Sequence, residues 1–405
     1  MSERPRRALV LSGGGSRGAY AAGVMRYVVE EISESLGRPA RFDIISGTSI
    51  GAINATWLAA TLDNPTHCVQ RLWYLWRTMA LSRAVKPSYD NIWTMLRRLV
   101  SNTSQRSLEP SRGRSYSMLD TSYFSDLIGR EIPFHNIGRN IDAGVLDALT
   151  VTGTDVHSGR TTVFVQSRRG ELPPWTRDPR RRAVAGDITA EIVLGSAAIP
   201  ILFPAVKIGP RWYFDGGLRQ NTPISPALRM GATKLMVVSL KSAPKPEALD
   251  EIQQVDTPTV SFLIGKLLNA LMLDPIDYDL AFMERINAIL RYGSEAMDGD
   301  FVEKLNEVVE RHRGQGYRVI EPLLVRPTQD LGQLASDYAG QLSEKDWGNP
   351  VLATIGRRAS QSGSFRESDF LSYLLFDGGY TGHLLDLGYK DAALKHDELM
   401  EFFAD

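Results

Sequence analysis

Cysteine and net charge are both scarce in this sequence. Cys68 is the only cysteine among 405 residues, which excludes an intramolecular disulfide framework and a cysteine-based zinc site. The 47 acidic side chains nearly balance the 46 basic ones, and the net charge of −1 gives no indication of a nucleic-acid-binding protein. Neither an HExxH motif nor an EF-hand loop is present, so we expect no metal and no other cofactor.

Long hydrophobic runs are missing as well. The longest apolar-rich segment, residues 260–273, is interrupted by Lys266 and Asn269 and is shorter than the roughly 20 residues of a membrane-spanning helix. The basic residues 1–7 precede an apolar stretch that is too short for a signal peptide, because glycines interrupt it at residues 13–15. We therefore expect a cytoplasmic protein whose membrane contact is at most peripheral. No motif predicts an oligomeric state.

Short apolar segments that end in glycine alternate with helical patterns along the chain. Residues 8–12 and 42–46 are predicted to be buried strands, and each precedes a glycine-containing turn and a helix, at 19–35 and 52–62. Two such units in succession predict a parallel α/β sheet. Further strands are predicted at residues 148–154, 161–166, 212–214, 234–240 and 318–325.

Two regions between the predicted strands have helical patterns that are unlike simple crossovers. Residues 66–100 carry Trp73, Trp76 and Trp93 among arginines, a pattern that suits a membrane interface but more often belongs to a core. Residues 258–290 form a long amphipathic pattern, whose apolar side chains either line an acyl channel or pack on the sheet. We divide the chain into a core (6–240), a mainly helical insertion or lid (241–317), and a returning strand with a C-terminal helical extension (318–405).

A G-x-S-x-G pentapeptide, residues 47–51, stands directly between a predicted strand and a predicted helix. Such a tight turn holds its central residue in strained geometry, so the flanking Gly47 and Gly51 must lack side chains. The Ser49 hydroxyl would be exposed at a helix N-terminus, where the dipole favours developing negative charge. The pattern predicts Ser49 as a nucleophile, and a chance match in a glycine-rich chain is the alternative.

A glycine-rich loop, residues 13–18, follows the first predicted strand. Backbone N–H groups in such a loop can converge on an oxyanion, and Arg17 adds a cation nearby. Three of its glycines also match the G-x-G-x-x-G dinucleotide fingerprint, which expects an acidic residue at the end of the second strand. Asp43 stands instead at the start of that strand, so an oxyanion hole is favoured over a nucleotide-binding loop.

An aspartate at the end of an aromatic strand completes the set of motifs. Asp215 is followed by Gly216 and Gly217, and a carboxylate in this place can act as general base for a nearby serine hydroxyl. Apolar neighbours would raise its pKa and make it a better proton acceptor. The same tripeptide recurs at residues 377–379, but it follows a predicted helix (370–376), so those glycines are interpreted as a C-cap.

These motifs, in this order, resemble those of the patatin-like phospholipases, over about residues 6–240. That family pairs a G-G-x-R loop with a G-x-S-x-G serine and the aspartate of a D-G-[GA] tripeptide, and residues 196–200 resemble its small-residue segment. The resemblance implies an α/β three-layer sandwich with a mostly parallel central sheet, plus a helical insertion and a C-terminal helical extension. It assigns Ser49 as nucleophile, Asp215 as base, Gly14, Gly15 and Arg17 to the oxyanion hole, and Gly13, Gly18, Gly47, Gly51, Gly216 and Gly217 as supporting glycines.

The resemblance also implies a function, namely serine-dependent hydrolysis of lipid ester bonds of phospholipase A or lysophospholipase type. Phospholipids or lysophospholipids are the expected substrates, with no nucleic acid and no cofactor. Two other classes stay open: a nucleotide- or phosphate-binding α/β protein, and a carboxylesterase for non-lipid esters. An α/β-hydrolase is disfavoured because Ser49 follows only the second predicted strand. The arginine run at residues 180–182 is interpreted as a solvated loop rather than a lipid-phosphate contact.

Overall fold

The computed structural model of the protein describes residues 4–81, 86–87, 119–120, 122–168, 170, 172–175, 178–200, 202–243, 276–297, 300–343, 346–347 and 368–404. Within these ranges nine strands form one sheet, and two short strands pair separately. The strands are β1 Arg7–Leu11, β2 Ile44–Thr48, β3 Lys86–Pro87, β4 Leu119–Asp120, β5 Ala148–Asp155, β6 Thr161–Ser167, β7 Arg181–Ala185, β8 Val206–Ile208, β9 Arg211–Asp215, β10 Lys234–Val238 and β11 Glu321–Val325.

The described helices lie between these strands and after the last of them. They are α1 Gly18–Tyr27, α2 Ser33–Leu36, α3 Ile50–Thr61, α4 Pro65–Arg77, α5 Ser122–Glu131, α6 His135–Asp142, α7 Ala190–Ser196, α8 Gly217–Gln220, α9 Ile224–Arg229, α10 Ile276–Ala296, α11 Phe301–Arg313, α12 Leu331–Ala339, α13 Ser368–Leu374, α14 Gly378–Ala393 and α15 His396–Phe403. A π-helical turn, Val28–Ile32, joins α1 to α2.

The main path of the sheet runs β11-β10-β1-β2-β5-β6-β7. Its first five strands are parallel, β6 is antiparallel to β5, and β9 pairs with the other edge of β5 near its end. In β1, Leu9 and Leu11 belong to one hydrophobic cluster while Ala8 and Val10 belong to another, because successive strand side chains point to opposite faces. Helices therefore cover both faces, and the predicted three-layer α/β sandwich with a mostly parallel sheet is confirmed.

The C-terminal residues are built into this sandwich. Strand β11 lies parallel to β10, and α14 packs closely on α1. A Cβ atom on Gly23 of α1 would lie 2.1 Å from the carbonyl oxygen of Leu385, and one on Gly388 would lie 2.1 Å from that of Tyr20. Glycine at both positions thus lets the two helix backbones touch. The domain division at residues 240 and 317 stays a prediction.

A buried arginine joins the first strand to α15. Arg7 is 2% exposed, and its guanidinium donates hydrogen bonds to the carbonyl oxygens of Phe402 at 3.2 Å, Phe403 at 3.2 Å and Ala404 at 3.0 Å. Arg38 donates a further bond to the Phe403 carbonyl at 2.7 Å. Cations are favoured at a helix C-terminus, where carbonyl groups lack intrahelical partners.

Two local interpretations from the sequence are wrong. Asp377 is an N-cap, because its side chain accepts a hydrogen bond from the Gly379 amide at 3.0 Å, so this Asp-Gly-Gly begins α14. Aspartate is a favoured N-cap residue, and here its side chain begins a helix where the glycines alone had suggested the end of one. The arginine run is also partly a strand, since Arg181 and Arg182 open β7 and Arg182 contacts buried Asp155.

The tryptophan-rich region packs against the core where it is described. Trp76 is buried and stacks on Phe376, and Trp73 lies under the guanidinium groups of Arg26 and Arg77. Trp93 and residues 260–273 lie outside the described residues. No helix among the described residues is long and apolar enough to span a membrane.

Candidate active site

Ser49 occupies a strained turn between β2 and α3. Its φ of 57° makes it the only non-glycine residue with positive φ among the described residues. A Cβ atom on Gly47 would lie 2.4 Å from the Gly51 carbonyl oxygen, and one on Gly51 would lie 2.3 Å from that of Leu11. The G-x-S-x-G pattern thus has a steric cause, since the turn folds the chain onto its own backbone and onto β1. Such strain persists where the surrounding structure enforces it, which is common at functional sites.

The Ser49 hydroxyl meets the carboxylate of Asp215. Ser49 Oγ donates a hydrogen bond of 2.6 Å to Asp215 Oδ2, and Asp215 Oδ1 accepts one of 2.7 Å from the Gly217 amide. Strand β9 ends at Asp215, and its pairing with Gly153 of β5 brings the carboxylate across the sheet to the end of β2. A Cβ atom on Gly216 would lie 2.3 Å from the Thr152 carbonyl oxygen, so this turn also needs glycine.

Burial shapes the acidity of this carboxylate. Asp215 is 0% exposed, and burial raises its pKa to about 7, although the hydrogen bonds from Ser49 and the Gly217 amide act in the opposite direction. A carboxylate with a pKa near neutrality accepts a proton far more readily than an ordinary aspartate does. The site therefore contains a hydroxyl donor and a basic acceptor in direct contact.

The glycine loop lies beside this pair. The Gly13 amide donates to the Asn221 carbonyl and the Asn221 side chain donates back to the Gly13 carbonyl, each at 3.2 Å. The amides of Gly14 and Gly15 donate to no acceptor among the described residues, although both glycines are buried. Gly15 lines the same cavity as Ser49. A buried N–H group without an acceptor, as at Gly15 beside Ser49, can receive an anionic oxygen, and the Gly14 amide is the next one along the same loop.

Arg17 does not line this site with its guanidinium, and that expectation is corrected. Its Nε and Nη2 atoms donate to Ser372 Oγ at 2.8 and 2.6 Å, and Nη2 lies 3.4 Å from Asp369 Oδ1. The guanidinium also lies 4.3 Å from the ring centroid of Tyr373. Arg17 therefore fastens the glycine loop to α13. The signal was absent from the sequence because these partners lie 352–355 residues further along the chain.

Ser196 supports the turn at Ser49, and Ser16 supports the glycine loop. The Ser49 amide donates to Ser196 Oγ at 2.9 Å, and Ser196 Oγ donates in turn to the Thr152 carbonyl at 2.6 Å. Ser196 thus links the turn at Ser49 to β5. Its place in the small-residue segment at residues 196–200 was the only sequence signal for this role. In the glycine loop, Ser16 Oγ donates a hydrogen bond of 2.6 Å to the Ser372 carbonyl and so links the loop to α13.

A cavity of about 110 Å³ opens at Ser49. Most of its walls are apolar, and they come from α3, α5, α7, the segment after α7 and the C-terminal region. They include Ile53, Phe124, Ile128, Leu194, Phe203 and Phe376. Among the described residues, no group of three or more histidine, cysteine, aspartate or glutamate side chains is arranged to hold a metal ion.

Residues 9–228, more than half of the chain, match the sequence model described as Patatin-like phospholipase. The chain therefore belongs to the patatin-like phospholipase family. It is 27% identical over 267 residues to the cGAMP-activated phospholipase of Pseudomonas aeruginosa (strain BWHPSA011 / Pa011), a match that covers 62% of each chain. The chain thus spans less than two thirds of that curated relative.

Two solved structures are similar at low TM-scores. VipD from Legionella pneumophila has a TM-score of 0.29 and 11% identity, with 93% of this chain and 91% of that chain covered. ExoU, in its complex with SpcU from the type III secretion system of Pseudomonas aeruginosa, also has a TM-score of 0.29, with 13% identity and coverage of 92% and 75%. At these scores the likeness carries no inference about this chain.

Proposed function

We propose that this protein is a serine-dependent lipid acyl hydrolase that cleaves carboxylic ester bonds through Ser49 and Asp215. The observation that carries the proposal is the 2.6 Å hydrogen bond from Ser49 Oγ to the fully buried Asp215. A nucleophile within hydrogen-bond reach of a base with a pKa near 7 is the arrangement that covalent ester hydrolysis needs. Membership of the patatin-like family supports the same reading.

The first half of the reaction forms an acyl-enzyme. Asp215 Oδ2 takes the proton from Ser49 Oγ while that oxygen attacks the ester carbonyl carbon. The carbonyl oxygen becomes negative and is stabilised by the free amides of Gly14 and Gly15, each worth about 2.7–4 kcal/mol of barrier by analogy with studied oxyanion-hole donors. The tetrahedral intermediate then collapses, the alcohol leaves with the proton held by Asp215, and the acyl group stays on Ser49.

The second half releases the fatty acid. Water gives a proton to Asp215 and attacks the acyl-enzyme, and the same two amides stabilise the second oxyanion. Ser49 leaves with the proton from Asp215, which restores the starting state. The cavity of about 110 Å³ beside Ser49 is too small for a whole acyl chain, but its apolar lining suits the carbons next to the ester. Phospholipids or lysophospholipids are therefore the proposed substrates, and we propose that contact with a membrane surface is peripheral. This scheme uses no metal and no cofactor.

The test is release of fatty acid from mixed phospholipid and lysophospholipid vesicles, with a chelator present. We expect Ser49→Ala and Asp215→Asn to lower the rate by at least about 1000-fold, because each removes a group on which the other depends. Ser294→Ala is the matched control, since its hydroxyl only bonds its own helix at Leu290. Equal release by all four proteins would contradict the proposal.

Covalent labelling distinguishes the proposal from a phosphate-binding role of the glycine loop. A fluorophosphonate should modify wild type and Ser294→Ala but not Ser49→Ala, because only an activated serine attacks it. Labelling combined with hydrolysis of short esters but not of any lipid would instead identify a non-lipid carboxylesterase. Absence of labelling in the wild type would contradict the nucleophile assignment itself.

A further inference from the structure

A second cavity lies away from Ser49, against the helical hairpin α10–α11. Its volume is about 340 Å³, within the range of small-molecule binding sites. One wall is formed by α10 and the segment after α11, and the opposite wall by residues 219–228. None of its lining residues lines the cavity at Ser49.

Arginine dominates the polar lining of this second cavity. Arg181, Arg219, Arg313 and Arg318 all line it, and Asp279 is the only carboxylate among the lining residues that the structure describes. Among the described residues, Arg181 pairs with Asp178 at 3.6 Å, whereas neither Arg219 nor Arg313 nor Arg318 forms an ion pair. Arg313 donates only to the carbonyls of residues 315 and 316, and Arg318 donates to the carbonyls of residues 228 and 232. The cavity therefore carries excess positive charge.

A fifth arginine lies behind this lining. Arg229 is 7% exposed, it has no carboxylate partner, and its Nη1 atom lacks a hydrogen-bond acceptor within the described part of the chain. Burial, together with the charges of Arg313 and Arg181, lowers its pKa to about 10. Uncompensated buried cations are costly, and an anion bound nearby would offset that cost.

The remaining walls combine apolar side chains with uncharged polar ones, among them Gln220, Thr222 and Asn287. Ile224, Leu228, Met283 and Ile286 line the cavity, and the ring of Phe282, 46% exposed, stands at its edge. A ligand that matches this surface needs an anionic end for the arginines and an apolar or flat body for these side chains. The fork of an arginine binds carboxylate or phosphate oxygens in pairs, and the presence of several arginines around one cavity favours the more highly charged phosphate.

We propose that this cavity is a second ligand site, which binds a phosphate ester of nucleotide size. Arg219 and Arg313 hold the phosphate, and the body lies against Phe282 and Met283. The site is separate from the proposed hydrolytic function and takes its ligand without cleaving it.

The wall at residues 219–222 connects this cavity to the glycine loop. Gln220 and Thr222 line the cavity, while Asn221 between them binds Gly13 on the other side. Thr222 Oγ1 lies 2.9 Å from Ser12 Oγ, and the Gln220 carbonyl accepts a bond of 3.0 Å from Thr48 Oγ1. A ligand that contacts this segment is therefore linked through these bonds to the loop beside Ser49, and we expect its binding to make opening of that loop rarer.

Equilibrium binding of ADP, pyrophosphate, glycerol 3-phosphate and adenosine tests the site. We expect wild type to bind ADP saturably, more tightly than pyrophosphate or adenosine. Arg219→Gln and Arg313→Gln should each weaken ADP binding by about 10-fold, the loss expected for one charge-assisted hydrogen bond. Arg311→Gln is the matched control, because Arg311 is exposed on the same helix and does not line the cavity.

Two other outcomes of the binding experiment would contradict the proposal, one for the class of ligand and one for the site itself. Tighter binding of glycerol 3-phosphate than of ADP would overturn the nucleotide-sized ligand in favour of a lipid headgroup. No saturable binding of any probe, or equal weakening by Arg311→Gln, would overturn the site.

Hydrogen exchange of residues 12–18, with and without ADP, tests the coupling independently of hydrolysis. Slower exchange in wild type, absent in Arg313→Gln, is expected. Binding with unchanged exchange would overturn the coupling, and inactivity of the enzyme would leave both readouts intact.

Discussion

Asp215 has to be deprotonated to accept the Ser49 proton, and burial places its pKa at about 7. We therefore expect kcat/KM for a soluble short-chain ester to rise tenfold per pH unit below about pH 7 and to level off above it. The profile measured between pH 5 and 9 checks this. A plateau that already begins near pH 5 would show that Asp215 titrates as an ordinary carboxylate.

The same pKa shift affects folding. In the unfolded chain Asp215 titrates near 3.9, so its contribution to stability is full below that pH and is lost as the pH rises through about 7. Asparagine does not titrate, so the Asp215→Asn variant does not lose stability in this way as the pH rises. We expect it to exceed wild type in free energy of unfolding by up to about 4 kcal/mol at pH 8, with little difference at pH 4.

Denaturant titration of both proteins at the two pH values measures this difference. Ser49→Ala serves as the control, since it keeps the buried carboxylate. A stability of Asp215→Asn that falls with pH in parallel with wild type would contradict the assignment of the loss to Asp215.

Arg17 acts on the loop through its neighbours rather than on the substrate. Removing its guanidinium leaves Ser372 Oγ without two donors, so Arg17→Met and Ser372→Ala should each lower kcat by about 10-fold with little change in KM. In a double-mutant cycle the combined variant should lose hardly more than either single variant. Additive losses would show that the two side chains act separately.

Among single residues, the motif glycines made Ser49 and Asp215 predictable. Gly47, Gly51 and Gly216 are required by backbone contacts within the turns, and local steric demands of this kind leave a mark on nearby sequence. The side-chain partners of Arg17 could not be predicted from nearby sequence, because they depend on how α13 packs against the loop. The free amides of Gly14 and Gly15 agree with the expectation for the loop, and their role remains a proposal.

At the scale of elements, the contact between α1 and α14 depends on glycine. A Cβ at position 23 would lie 2.1 Å from the Leu385 backbone oxygen, which has no rotamer by which to move away. We expect Gly23→Ala to lower the free energy of unfolding by about 1–3 kcal/mol. Gly129→Ala is the matched control, since a Cβ there meets nothing within 4 Å and alanine is the better helix former.

Chemical denaturation of these two variants gives the answer. Gly129→Ala should be as stable as wild type or up to about 1 kcal/mol more stable. Equal stability of Gly23→Ala and wild type would mean that the two helices can separate without loss.

Most elements of the sheet could be predicted, and the exceptions have clear causes. Strands β1, β2, β5 and β6 are apolar runs between turn residues, so sequence pattern alone locates them within a few residues. Strand β7 begins with two arginines and is only partly buried, so its pairing with β6 overrides a polar sequence. The residues that line the second cavity come from widely spaced segments, and no local pattern could assemble them.

At the scale of the whole molecule, β1 is held by residues at the far end of the described chain. Truncation after Lys395 would leave the buried guanidinium of Arg7 without its three carbonyl acceptors and would expose Phe42. We expect a loss of at least about 3 kcal/mol in the free energy of unfolding, because the truncation removes the buried side chains of Phe402 and Phe403, and loss of one such side chain costs about 3–5 kcal/mol. Thermal and denaturant unfolding of the truncated protein measures it.

A second substitution separates charge from packing in that result. Arg7→Met in the full chain removes the bonds to these three carbonyls and should be destabilising, whereas in the truncated chain, which lacks the carbonyls, the same substitution should cost less. Truncation without effect on unfolding would show that α15 adds nothing to the sandwich.

The Ala404 carbonyl that Arg7 contacts lies 397 positions further along the chain, so β1 is translated long before this partner. A ribosome that adds about 5–20 residues per second needs roughly 20–80 s to pass from β1 to α15, and β1, an interior strand of the sheet, lacks these partners throughout. Segment 369–376, which fastens the glycine loop, is also translated late. A nascent chain can therefore expose Ser49 long before it can organise the loop beside it. The contacts that hold the loop beside Ser49 can therefore form only after nearly all of these residues have left the exit tunnel.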